Sequence, residues 1–512
     1  MSKSYYLTTP IYYVNDKPHI GHAYTTLACD ALARFKRLDG YDVMFLTGTD
    51  EHGQKVQKSA EEKGIDPKTF TDEVSQNFRD LTATLGFTND DFIRTTEDRH
   101  YAACQKLWQT LIDNGDIYLG SYAGWYAVRD EAFYAESEIK DGKAPSGAPV
   151  EWVEEPSYFF RLSAYQDKLL AHYENNPDFV APKSRLNEVR SFVAGGLMDL
   201  SVSRASFSWG VPVPGDDAHV MYVWLDALTN YMTAAGYGQE DGGEQYDYRW
   251  PADLHMVGKD ILRFHAVYWP AFLMAANLPL PKRVFAHGWW TNEGQKISKS
   301  LGNVIDPVEV AETYGLDQMR YFLLREVPFG NDGDFSRTAM MHRMNGDLAN
   351  DLGNLSQRVL SMIFKNCEGV MPKLPETHTD ADLALLTPLD NLLEGQRQHY
   401  DNQQFHEALK DIWDVVSAAN RYVDEMAPWA LRKTDPDRMA DVLWTLAETL
   451  RQVAILIQPV MPEASSNMLN QLGVAEDARG FEHLGQDHRL QGGWAIEKPT
   501  PVFPRFVEEE GA

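Results

Sequence analysis

Pro18-His19-Ile20-Gly21-His22 is the stretch on which the reading of this chain turns. Upstream runs Tyr5-Tyr6-Leu7-Thr8-Thr9-Pro10-Ile11-Tyr12-Tyr13, an apolar and aromatic segment that reads as a buried strand and its exit. Downstream, over residues 23–38, apolar residues recur at three- and four-residue spacing. That predicts a helix, and Gly40 is placed to end it. The motif therefore lies where a strand hands over to a helix N-terminus. Free backbone N–H groups and the positive end of the helix dipole favour anions there. His19 and His22, three apart, share a helix face, and Gly21 lets a bulky ligand approach the backbone. The chemistry suggested is stabilisation of negative charge growing on a phosphate. On its own, a His-x-x-His pair more often marks two ordinary surface or core histidines.

At 512 residues the chain is too long for one core, and two to four domains are expected. Hydrophobic residues make up 44%, enough to bury large cores and to exclude a disordered chain. No apolar run approaches the roughly 20 residues of a membrane span, and the first residues carry no signal-peptide pattern. Cys29, Cys104 and Cys367 form no Cys-x-x-Cys pair, so reduced thiols and a cytoplasmic location are expected. The net charge of -28 argues against a nucleic-acid partner. After Gly346 there are 14 Lys and Arg against 27 Asp and Glu, so RNA would have to bind on a local basic stripe.

In chain order, Val43-Met44-Phe45-Leu46-Thr47-Gly48-Thr49-Asp50 reads as a second buried strand. Asp50 at its end either meets a cationic group such as an α-amine or caps the next helix. Helical patterns over 67–85 and 98–114 flank a short strand over 91–95, which indicates an α/β sheet. From Ile117 to Arg161 the texture becomes aromatic and Gly/Pro-rich, as in an antiparallel insertion, and two helices follow. The α/β pattern resumes with an expected strand Val220-Met221-Tyr222-Val223-Trp224-Leu225 and a helix carrying Ala227 and Tyr231. A strand His255-Met256-Val257-Gly258, one long helix over 260–274 and a strand Arg283-Val284-Phe285-Ala286 are expected next. Lys296-Ile297-Ser298-Lys299-Ser300, between turn-forming flanks, reads as a loop suited to a polyphosphate or as a plain solvated basic loop. From about Ser336 only helical patterns remain, as in a bundle. Asn354 and Arg358 are four apart on one helix, and Trp429 follows Pro428. They suit base recognition, or else a solvated helix face.

In order and spacing, His19-Ile20-Gly21-His22, Gly258-x-Asp260 with His265, and Lys296-Ile297-Ser298-Lys299-Ser300 resemble the signature segments of class I aminoacyl-tRNA synthetases. The details are similar to the methionyl-tRNA synthetase family. They include Pro10-Ile11-Tyr12-Tyr13, Thr47-Gly48-Thr49-Asp50-Glu51-His52-Gly53, Tyr222-Val223-Trp224-Leu225-Asp226-Ala227, Phe264-His265 with Trp269, Asn354-Leu355-x-x-Arg358 and Ala427-Pro428-Trp429. The resemblance covers nearly the whole chain. It implies an α/β fold: a Rossmann-type parallel-sheet catalytic domain (1–115 and 216–285) with a connective insertion (116–215). A stem-contact region with the lysine loop (286–345) and an α-helical anticodon-binding domain (346–512) would follow. It implies activation of L-methionine by ATP, as its Mg2+ complex, to methionyl-adenylate and pyrophosphate. Transfer to the 3′-terminal adenosine of tRNA(Met), initiator tRNA included, would complete the reaction.

Residue by residue, the resemblance implies that His19 and His22 stabilise the α-phosphate transition state, with Gly21 beside them. Lys296 and Lys299 would grip the β- and γ-phosphates with Ile297 between them, and Gly258 and Asp260 would hold the ribose. Asp50 would take the methionine ammonium, and Ile11 and Tyr13 would meet the sulfur. Trp224, Ala227, Tyr231, Ile261, Phe264, His265 and Trp269 would enclose the side chain. Asn354, Arg358 and Trp429 would read the anticodon. Three departures or limits shape the expectation. The region 122–131 lacks the family's zinc-knuckle cysteines, so no bound zinc is expected. The chain stops soon after the apolar tail Pro501-Val502-Phe503-Pro504-Arg505-Phe506, so a monomer without a dimerisation domain is expected. The insertion is too short for a large editing domain. A nucleotidylyltransferase shares the first motif but rarely carries such a bundle. A synthetase for another apolar amino acid would have a different pocket, and an RNA-binding paralogue would have lost a signature segment.

Overall fold

The computed structural model describes residues 3–14, 17–130, 132–134, 136–297 and 302–507. The chain divides into two units, Met1–Cys29 with Asp42–His287, and Asp30–Tyr41 with Gly288–Ala512.

The first unit is built on a parallel sheet. Its strands run in the order Tyr12–Tyr13, Asp42–Asp50, Ser4–Thr8, Leu254–Gly258, Val284–His287 and Val180–Ala181, with Asp91–Arg94 also paired to Asp42–Asp50. Asp42–Asp50 is buried at every position after the first. That continuous burial is why its sequence shows an unbroken apolar run: the strand is covered on both faces. Gly48 is required there, because a Cβ would lie 2.0 Å from the Ile93 carbonyl oxygen of the neighbouring strand. Asp50, Gly258 and His287 close their strands, so they share the carboxyl edge where open parallel sheets bind ligands. The insertion contributes the long antiparallel pair Ile117–Ala127 and Glu151–Phe160, as expected. Its later part does something else: Val180–Ala181 joins the edge of the parallel sheet.

One expectation is corrected here: Val220–Leu225 is not one strand. The strand Asp216–Met221 belongs to a small antiparallel sheet, and the helix Val223–Ala234 begins two residues later. A helix start buried on most sides has no clear period, so its apolar run mimics a strand. The expected helix over 260–274 is present without a break, opening with a tight turn Lys259–Ile261 and widened by a π-type turn Phe264–Tyr268 before Trp269–Ala275.

The second unit opens with a hairpin, Trp290–Asn292 against Gln295–Lys296. Its two turn residues, Glu293 and Gly294, have φ of 49° and 76°, the left-handed pair that a two-residue hairpin favours. Lys296 therefore lies on a strand rather than in a loop. Ser298, Lys299, Ser300 and Leu301 lie outside the described residues. Helices then dominate, the longest being Phe405–Met426 and Pro436–Ile457. The apolar tail packs back: Phe506 and Asn345 exchange two hydrogen bonds, at 2.8 and 3.0 Å.

Residues 30–41, the second half of the first long helix and its exit, belong to this unit. Phe35 stacks on Tyr400 at 4.0 Å and meets Phe481 edge-on. Arg320, fully buried, donates to Asp30 at 2.7 Å and to the carbonyls of Val460 and Pro459. Among the described residues no helix is long and apolar enough to cross a membrane. Arg320→Leu takes from the buried Asp30 carboxylate its fully buried cationic partner. We expect a loss of about 3 kcal/mol, read as an earlier denaturant transition of the helical unit.

Candidate active site

His19 immediately precedes the helix Ile20–Leu38, and His22 lies in its first turn. The two residues cap that helix reciprocally. The Gly21 N–H donates to His19 Nδ1 at 3.1 Å, and the His19 N–H donates to His22 Nδ1 at 3.1 Å. This resembles a capping box with imidazoles in place of hydroxyl and carboxylate. Burial pushes the His19 pKa down. Burial, with His19 adding to it, pushes His22 down to about 3. Both rings are therefore neutral at neutral pH. Because each Nδ1 accepts a backbone proton, each ring carries its own proton on Nε2. The rings stand 4.1 Å apart, and His22 is held edge-on between Tyr12 and Phe78. Gly21 serves this arrangement more directly than by admitting a ligand: a Cβ there would lie 2.9 Å from His19 Cε1. One turn on, Thr25 meets His287 Nε2 at 2.7 Å, tying the helix to the end of the Val284–His287 strand.

Beside this lies an aromatic wall. Trp224, Ala227 and Tyr231 fall on one face of the helix Val223–Ala234. Trp224 stacks on Phe264, with centroids 3.3 Å apart and planes 8° apart. Tyr231 and Trp269 are fully buried, 6.3 Å apart. His265 donates from Nδ1 to the Ile261 carbonyl at 2.9 Å, and burial pulls its pKa down to about 4. Its Nε2 therefore accepts from the Tyr231 hydroxyl, at 2.7 Å, which fixes the phenol. Ile11 and Ile261 pack against the same core. Tyr13 is half-buried on the edge strand, with the Lys55 ammonium 5.7 Å from its ring. Asp50 is buried and is no helix cap: the following helix, Gln54–Lys63, is capped by Gly53. Gly258 ends its strand, and a Cβ there would lie 2.5 Å from Asp260 Oδ1, so the glycine makes room for that exposed carboxylate.

Sequence reading missed Tyr12, Phe78 and His287 around the histidines. It also missed the buried set His52, His100 and Asp226. His52 and Asp226 stood within quoted motifs, but nothing in the chain order signals that they meet. His100, Cys104 and Asp226 place possible ligand atoms within 4.8 Å of one another. Burial, then Asp226, push the Cys104 thiol well up, and the His100 and Asp226 atoms are already in hydrogen-bond contact at 2.7 Å. The set is a hydrogen-bonded network around the Asp226 carboxylate in which Cys104 stays a thiol, not a thiolate ligand sphere.

In the second unit, Lys296 is exposed. Asn354 is exposed at the start of the helix Asn354–Asn366. Arg358 pairs with Asp424 at 2.9 Å and lies 5.9 Å from the Trp429 ring, which is 50% exposed. The helix Pro428–Thr434 presents that indole. The three form one polar and aromatic surface patch.

A family model described as tRNA synthetases class I (M) matches residues 5–148 and 143–360. One described as the anticodon binding domain of methionyl tRNA ligase matches residues 372–512. The chain is 60% identical to a methionine–tRNA ligase of Mesorhizobium japonicum, over 100% of this chain and 99% of the relative. It is 57% identical to that of Rickettsia conorii, over 99% and 100%. A solved Mycobacterium tuberculosis methionyl-tRNA synthetase in complex with methionyl-adenylate superposes with a TM-score of 0.95 at 54% identity, over 98% of this chain and 100% of that one.

Gly21→Ala forces the His19 ring out of its capping position. We expect the melting temperature to hold, while phosphate chemistry at this site slows by about 100-fold, measured as single-turnover ATP consumption.

Proposed function

The chain belongs to the methionyl-tRNA synthetase family of class I, and on that premise we propose how its residues divide the work. It is a methionine–tRNA ligase. The methionine carboxylate attacks the α-phosphorus of ATP, pyrophosphate leaves, and the resulting methionyl-adenylate passes its acyl group to the 3′-terminal adenosine of tRNA(Met). In class I that acceptor is first the 2′-hydroxyl. The observation that carries the residue-level reading is the pair of neutral imidazoles, each with its proton on Nε2, in the same unit as an aromatic slot.

His19 and His22 donate from Nε2 to the α-phosphate oxygens as charge grows there. Preorganised donors of this kind contribute about 100- to 1,000-fold each. Gly258 and Asp260 hold the ribose. Lys296, Ile297 and Lys299 form the segment that grips the β- and γ-phosphates of the Mg2+ complex of ATP. Asp50 takes the ammonium. Ile11, Tyr13, Trp224, Ala227, Tyr231, Ile261, Phe264, His265 and Trp269 enclose the thioether chain, for which a polarizable aromatic slot is suited. Neutral His265 supports this, because a charged ring beside an apolar side chain would cost affinity. Asn354, Arg358 and Trp429 read the anticodon, with Arg358 bidentate to a base edge and Trp429 stacked on a base. Residues 116–215 form the connective insertion, 286–345 the stem-contact region and 346–512 the anticodon-binding domain. The enzyme works in the cytoplasm as a monomer, without bound zinc and without a separate editing domain.

ATP–pyrophosphate exchange without tRNA, run with each of the twenty amino acids, tests this. Exchange with methionine alone is expected. Exchange with another amino acid would refute the pocket, and none at all would refute the ligase. In the same assay, Lys299→Ala is expected to lower kcat far more than it raises the methionine KM. Equal losses would contradict a transition-state role.

A further inference from the structure

We infer that His52 and His100 are positioning residues that set the spacing between the ammonium end and the thioether end of the methionine site. The inference rests on the pocket proposed above. It starts from Asp226, a fully buried carboxylate in the first turn of the helix Val223–Ala234. Asp226 accepts from His52 Nδ1 at 2.6 Å and from His100 Nε2 at 2.7 Å. Despite its burial, the two rings hold its pKa down at about 2, so it is ionised and only accepts. The facing nitrogen of each ring therefore carries a proton.

Each ring comes from a different element. His52 follows Asp50 by two residues at the exit of the Asp42–Asp50 strand. That exit is pinned residue by residue. Glu51 is held by Arg94 through two bonds, of 2.7 and 2.9 Å, and by Thr49 and Thr96. His52 Nε2 meets the Tyr101 hydroxyl at 3.0 Å. The Gly53 N–H donates to the Trp209 carbonyl, and Trp209 Nε1 donates back to the Glu51 carbonyl at 2.6 Å. His100 stands on the helix Asp98–Asp113, with Thr233 at 3.3 Å from its Nδ1.

On the other side of the bridge, the helix that carries Asp226 turns Trp224, Ala227 and Tyr231 into the slot. Asp226 thus ties the wall that takes the side chain to the strand exit that takes the ammonium. An amino acid spans those two walls, so their separation measures its length. Removing one ring leaves a buried carboxylate short of a donor and frees the helix start to shift. A displacement of about 1 Å at a site is enough to cost about 100-fold.

The test compares His52→Leu and His100→Leu with His52→Asn and His100→Gln, whose amide N–H groups replace the lost donors. Steady-state exchange is measured with methionine and with ethionine, one methylene longer, alongside the KM for ATP. We expect each leucine variant to raise the methionine KM and to shrink the methionine-over-ethionine ratio of kcat/KM by about tenfold. The ATP KM should hold, and the amide variants should restore the ratio. An unchanged ratio, a parallel rise in both KM values, or amide variants that behave like leucine would overturn the inference. If the leucine variants fail to fold, Tyr101→Phe removes only the hydroxyl that meets His52. A smaller shift of the same ratio is then expected, and an unmoved ratio overturns the inference. Asp50→Asn separates the premise from the inference: if it leaves the methionine KM unchanged, the ammonium assignment itself has failed.

Discussion

The two backbone hydrogen bonds that the imidazoles accept, from the Gly21 N–H to His19 Nδ1 and from the His19 N–H to His22 Nδ1, are the constraint on which the rest of this site depends. A helix start must satisfy its free N–H groups. Here imidazole nitrogens do so, and in accepting those protons they give up the choice of tautomer. Depressed pKa values then keep the rings neutral. The consequence is a fixed pair of Nε2–H donors, which in the proposed function need no reorganisation when charge develops on a phosphate. The same depression has a cost in acid. The His22 pKa is near 6.5 in an unfolded chain and about 3 in the fold. The fold binds fewer protons across that window, so this contribution to stability is whole above about pH 6.5 and fades as pH falls toward 3.

Neutrality extends through the pocket. Burial lowers His255 well below its ordinary value and His265 to about 4. His255 sits 4.2 Å from Tyr231 and is held at Nδ1 by Thr8. Tyr231 is fixed from both ends, since Tyr6 donates to its carbonyl and its own hydroxyl donates to His265. As the proposed methionine slot, stacked rings and uncharged imidazoles would select by shape, polarizability and length.

The order of the signature segments and the parallel sheet were legible in the chain because each is local or periodic. The strand Asp42–Asp50 announces itself by continuous apolarity, and the helix Ile20–Leu38 by its spacing. Val220–Leu225 was misread because a helix buried along its start loses its period, and the strand that precedes it ends only at Met221. Asp50 stood between two readings in the sequence; the cap at Gly53 removes one of them. The contacts that matter most within the site were not legible at all. His52 and Asp226 are 174 residues apart, and Thr25 and His287 are 262 apart. Only the fold brings them together. The acidic total of -28 pointed away from RNA, while the patch that carries Arg358 and Trp429 is local and invisible to a sum.

Imidazole 15N NMR of the full chain, labelled at histidine, reads the central claim directly, with His19→Asn and His22→Asn spectra to assign the two rings. The account predicts that both rings show the Nε2–H tautomer, that His22 stays neutral from about pH 8 to about pH 5, and that His19 titrates below a free histidine. An Nδ1–H signature at either ring, an imidazolium at His22 in that range, or a His19 midpoint at or above that of a free histidine would contradict it.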